Sequence, residues 1–139
     1  MSEFSLFRMM EEKDIEDLQD IRKLVDTFYA RVRSHPLLSP VFDEKIEDRW
    51  PEHLEKMYRF WQTVLLGVHT YSGSPFPPHA NLQVNSTHFV AWQGLFNETI
   101  DALFKGPKAD DAKFRAKAMA DMFSSKIAYS KNNNFKSVQ

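Results

Sequence analysis

The chain of 139 residues has no cysteine. That removes disulfides, thiolate nucleophiles, iron–sulfur ligation and covalent cofactor attachment through a C-x-x-C-H run. No apolar run approaches the ~20 residues that a bilayer-spanning helix needs. The opening Met1-Ser2-Glu3-Phe4 has neither the basic stretch nor the apolar segment of a secretory signal. The expectation is a cytoplasmic protein, in which the sequons at Asn85 and Asn97 carry no weight. Formal net charge is only −1, so there is no electrostatic case for nucleic acid or for an anionic membrane. Glycine is scarce, four in all, and none adjoins another. Strand-like alternation, internal repeats and low-complexity tracts are missing, as are G-x-S-x-G, a P-loop and H-E-x-x-H. None of the five histidines has Asp or Glu three residues before it, which removes the Glu-x-x-His pairs of a carboxylate-bridged di-metal bundle.

What the chain does have is apolar mass. Hydrophobic residues make up 42% and aromatic ones 14%, with twelve Phe and three Trp, enough for one folded domain with a real core. The periodicity predicts an all-α fold of four main helices. The first starts with Asp14 as cap, carries Ile15, Leu18, Ile21, Leu24, Val25, Phe28 and Val32 on one face, and ends near Ser34-His35-Pro36. Residues 36–46 read as a connector that folds inward on Leu37, Leu38, Val41 and Phe42. The second helix runs from Glu47 to Gly67 with Trp50, His53, Leu54, Met57, Phe60, Trp61, Val64 and Leu65 on its face. The third follows a cap at Asn85-Ser86-Thr87 and reaches Phe104, presenting Phe89, Trp92, Phe96, Ile100 and Leu103. Gly106-Pro107 ends it. The fourth begins at Asp110 or Asp111 and is expected to turn Phe114, Ala118, Met119, Met122, Phe123 and Ile127 inward. The division is an arm at 1–13, a domain at 14–130 and a polar tail at 131–139.

Residues 68–84 interrupt this pattern. Pro75, Pro77 and Pro78 forbid a continuous helix, although Pro78 suits the first position of a short helical turn. His79 then stands on a stiff backbone, as a metal ligand requires; a surface-loop histidine is the other reading. A gap this long inside a compact domain is usually functional. Tyr29, His53 and Trp92 each sit on the apolar face of a different helix, and each can be read as plain core. Taken together with His79 and the surplus of rings, they suit the lining of a flat apolar cofactor with a metal at its centre.

At this point the sequence resembles the truncated haemoglobins, specifically their third group, over about residues 14 to 129. The resemblance rests on Phe28-Tyr29, Pro40-Val41-Phe42, Trp50-Pro51-Glu52-His53, Phe60-Trp61, Leu65-Leu66-Gly67, Tyr71-x-Gly73-x-Pro75 with His79, and Trp92 with Phe96. The Gly-Gly pairs of the other two groups are missing. Phe76-Pro77-Pro78 before His79 is stiffer than the family pattern, and the N-terminal arm is additional. The resemblance implies a two-over-two helical sandwich whose proximal segment is mostly loop. It implies a non-covalent haem b (iron protoporphyrin IX) with His79 as the metal ligand. Tyr29 and Trp92 become distal hydrogen-bond donors, His53 stands at the distal entrance, Phe42 packs on the haem edge and Met57 lines the distal pocket. Lys56 and Arg59 are candidate partners for the haem propionates.

The function implied is binding of dioxygen, nitric oxide or carbon monoxide. Two donors aimed at a partly anionic ligand slow its release, each bond contributing ~1.5–3 kcal/mol. That points away from simple oxygen delivery and toward redox chemistry on nitric oxide, oxygen or peroxide. Such activity is nitric oxide dioxygenase-like or peroxidase-like and is served by an unidentified reductase. Two other readings stay open: a haem-based sensor or electron-transfer module, and a haem-free helical interaction domain.

Overall fold

A computed structural model of the chain describes residues 13–73 and 84–138, with side chains described as far as residue 129. Among the described residues there are five helices and no strand: α1 (Leu18–Ser34), α2 (Ser39–Ile46), α3 (Trp50–Leu66), α4 (Ser86–Leu103) and α5 (Pro107–Val138). Helix α1 packs against both α3 and α4, and α4 packs along α5. This is the expected all-α sandwich of two helix pairs. Its core is built on Ile21, Leu24, Val25, Phe28 and Val32 from α1 and on Phe96 and Ile100 from α4, all nearly or fully inaccessible.

Helix α1 starts later than the sequence suggests. Its cap is Asp17, whose carboxylate accepts from Asp20 N at 3.0 Å. Asp14 does cap a helix, but a distant one. Its carboxylate oxygens accept from Lys108 N at 2.9 Å and Ala109 N at 2.8 Å, closing the start of α5. Lys105 N donates to Lys13 O at 2.9 Å beside it. The residue before α5 is Gly106, with φ +148, and a Cβ there would come within 2.6 Å of Asp14 Cγ. Glycine is therefore required where the carboxylate approaches, and the missing local cap comes from across the chain.

Three further expectations are corrected. The connector contains a helix, α2, with Pro40 in its first turn. Proline interrupts a helix elsewhere but is favoured there, since that position lacks an N–H partner anyway. Helix α2 is anchored by buried Leu38 and Ile46 at its ends, and Arg49 closes its C-terminus through Nη2 to Lys45 O at 2.8 Å. Helix α5 turns Phe123 and Ile127 inward as expected, with Met119 half-buried, but Phe114, Ala118 and Met122 face outward. Its buried row is Ala109, Ala112, Ala116, Ala120, Phe123 and Ile127, while Phe114 is 71% and Met122 40% exposed. The row keeps helical spacing throughout, and its small side chains let α4 and α5 approach closely; Phe114 or Met122 could not fit there. Helix α5 also begins before Asp110 and continues through the residues read as a polar tail.

Burial works to raise the Asp14 carboxyl's pKa, but hydrogen bonds from the backbone of Lys108, Ala109 and Ile15, with the Lys108 charge, outweigh it and hold it below its ordinary 3.8. A depressed carboxyl stabilises the fold fully above its unfolded value, and that contribution is lost as pH falls through the folded value. Asp14→Ala should cost about 1–2 kcal/mol at neutral pH, in the range of a lost helix cap. In urea titrations the gap between variant and wild type should close below about pH 4. A gap that persists in acid would rule out the charged cap.

Candidate haem pocket

All five helices contribute to one cleft of about 90 Å³, part of it open to solvent. Phe28 and Tyr29 come from α1, Leu38, Val41 and Phe42 from the start of α2, and Met57, Phe60 and Trp61 from α3. Helix α4 and the residues before it supply Val84, His88, Phe89 and Trp92; α5 supplies Met119, Ala120 and Phe123. The walls are almost wholly apolar or aromatic.

The rings form one connected array. Phe28 stands at its centre, edge-on to Tyr29 at 5.0 Å, Trp92 at 5.6 Å and Phe96 at 5.2 Å. Phe96 is in turn stacked between Trp61, 22° from parallel at 5.1 Å, and Trp92, 16° from parallel at 5.8 Å. Offset-stacked and edge contacts of this kind contribute about 0.5–1.5 kcal/mol each beyond the area they bury. They fix the Trp92 indole in orientation as well as in place.

Tyr29 is only 6% exposed. Besides Phe28, three rings meet it edge to face: Phe42 at 6.0 Å, Trp50 at 5.9 Å and His53 at 5.0 Å. Burial pushes its phenol well above the ordinary tyrosine range. It therefore keeps its proton at physiological pH and presents a hydrogen-bond donor inside an otherwise apolar space.

The structure brings Tyr29, Phe42, Met57 and Trp92 together on the cleft. His53 stands one layer behind, half-buried, perpendicular to both Tyr29 and Trp50. Lys56 and Arg59 are exposed on α3 and do not line the cleft; Arg59 pairs with Glu55 at 3.7 Å. His79 lies outside the described residues, as do Pro75, Phe76, Pro77 and Pro78. Both described flanks of that segment adjoin the cleft. Val84 lines it, and the Tyr71 ring packs edge-on at 5.4 Å against Phe60, one of its walls.

His88 is a polar lining residue that sequence reading passed over. Its Nδ1 lies 3.2 Å from both Asn85 N and Asn85 Oδ1 in a capping box. The signal was present in the spacing: His88 is third in the helix after the Asn85 cap, where Glu or Gln is the usual partner. Among the described residues no three His, Cys, Asp or Glu side chains gather into a site for a bare metal ion. No described helix is long and apolar enough to cross a membrane.

A short all-α sandwich around a ring-lined cleft defines a globin-like architecture, and comparisons with known proteins agree. Residues 14–127 match the bacterial-like globin family. The chain is 31% identical to the group 3 truncated hemoglobin ctb of Campylobacter jejuni over 109 residues, 76% of this chain and 86% of that protein. It is 30% identical to the group 2 truncated hemoglobin YjbI of Bacillus subtilis over 86 residues, 58% of this chain and 62% of that one. The crystal structure of a group III truncated hemoglobin from Campylobacter jejuni superposes with a TM-score of 0.75 at 28% identity, covering 84% of this chain and 94% of that one. The chain belongs to the bacterial-like globins and, within them, is a truncated haemoglobin of the third group. Membership carries the general capacity of globins to hold haem and bind small gas ligands.

Proposed function

We propose that the chain holds a non-covalent haem b in this cleft, with His79 as the iron's protein ligand. The observation that carries the proposal is the setting of Tyr29: a protonated phenol buried in an aromatic cleft, with both flanks of the His79 segment at the same cleft. The residues present fit the group. Phe42, Met57, Phe60, Phe89 and Phe123 offer apolar surface on several sides of a flat ring system. Haem, when bound, supplies an iron that takes a diatomic gas.

This chain's own part is to orient that gas and control its release. Tyr29 and Trp92 donate hydrogen bonds to a small guest with partial negative charge, and the ring array holds both donors without reorganisation on binding. Apolar walls exclude water and strengthen those bonds. The ring of His53, seated against Tyr29, steadies the phenol and stands at the side from which ligands enter. His88 on the cleft lining and the exposed Lys56 and Arg59 of α3 are the candidates to meet the haem carboxylates.

Firm retention of dioxygen suits redox turnover of nitric oxide, dioxygen or peroxide better than delivery. A reductase is then required as partner. The alternative of a haem-free interaction domain leaves the buried Tyr29 phenol on the cleft wall without a guest.

His79→Ala should release haem at least tenfold faster than wild type, measured by transfer to an apoglobin acceptor, with exogenous imidazole restoring part of the histidine-ligated spectrum. Unchanged retention and spectrum would remove His79 from the iron. Tyr29→Phe keeps the packing and loses one donor. Dioxygen should then leave roughly tenfold faster for each ~1.4 kcal/mol lost, measured by stopped flow on the ferrous protein. An unaltered off-rate would show that the phenol does not face the ligand.

A further inference from the structure

We infer that Thr63 is a positioning residue for the haem, acting through the chain that leaves α3; the inference rests on the haem reading above. A threonine hydroxyl has one proton to donate and two lone pairs to accept with. Thr63 Oγ1 donates to Val68 O at 3.1 Å and accepts from Thr70 N at 3.1 Å and Tyr71 N at 3.0 Å. All three capacities of one side chain are therefore spent on a single short stretch of backbone.

A second hydroxyl extends the clip. Thr70 Oγ1 lies 3.0 Å from Gln62 Oε1 and 3.3 Å from Arg59 O, and 3.5 Å from Thr63 Oγ1 itself. Just before this, Gly67 takes the left-handed conformation at φ 70 and donates its N–H to Thr63 O at 3.2 Å. The left-handed turn reverses the chain, and the two hydroxyls fasten it back onto the last turns of α3.

The clip reaches further than a helix end requires. Its last bond fixes Tyr71 N, and the Tyr71 ring is set perpendicular to Phe60, a wall of the cleft. Tyr71 precedes His79 by eight residues in sequence. Thr63 thus ties the start of the segment that carries the iron ligand to the helix that carries Met57, Phe60 and Trp61. Removing the hydroxyl frees Tyr71 from its wall, and strain or slack at that point reaches the haem.

The test compares haem-loaded wild type, Thr63→Val and Thr63→Ser. Valine keeps the shape and deletes the hydroxyl; serine restores it. Thr63→Val should lose haem roughly tenfold faster, with an altered iron–histidine stretching frequency in the ferrous protein. Thr63→Ser should return both readings to about the wild-type values. The melting temperature of each haem-free protein separates positioning from general stability. Haem loss and stretching frequency unchanged in Thr63→Val overturn the inference, as does faster haem loss with an unchanged stretching frequency and a matching fall in melting temperature. If Thr63→Val does not fold, Thr70→Val removes the outer hydroxyl alone and serves the same comparison with a smaller shift. Wild-type protein without a Soret band sinks the haem reading itself, an outcome distinct from any failure of Thr63.

Discussion

The contact on which most of the structure depends is the meeting of Phe28 with Tyr29, Trp92 and Phe96. It joins α1 to α4 through rings alone, and Phe96 carries the join to α3 through Trp61. Phe28 meets three rings edge-on, so α1 cannot slide along its partners without breaking several contacts at once. The same ring lines the cleft. Packing that stabilises the sandwich is thereby also the packing that aims Tyr29 and Trp92.

A cleft in a chain this short needs compensation, since unfilled apolar space forfeits contacts that a core would make. The alanine row of α5 provides part of it. Ala112 and Ala116 are fully inaccessible and Ala109 nearly so, small side chains that let α5 pack closely near its start. Further along, Met119, Ala120 and Phe123 open onto the cleft. One helix thus closes the fold at its beginning and leaves room further along. The Asp14 carboxylate fixes where that helix starts and so where the change occurs.

Much of this was legible in the residues. The apolar spacing of α1 and α3, the Asn85 cap of α4 and the aromatic surplus led to an all-α fold, and Tyr29, Phe42, Met57 and Trp92 do converge on one cleft. Three features were not legible, each for a physical reason. Helix α2 was hidden because Pro40 breaks a helix interior but starts a helix well, and sequence does not say which position it holds. On α5, Phe123 and Ile127 were read correctly, but the alanine row was missed because large side chains were given more weight than the closeness that alanines allow. Asp14 was placed on the wrong helix because its partners lie more than ninety residues away, and a cap supplied across the chain leaves no local pattern.

The central claim is that this cleft is shaped for haem and not merely an imperfect core. Titration of purified, haem-free protein with hemin, followed by absorbance, tests it most directly. A Soret band that saturates at one haem per chain, together with a rise in melting temperature from ligand linkage, is the expected result. A linear, unsaturated absorbance like that of free hemin, with no change in melting temperature, would contradict it.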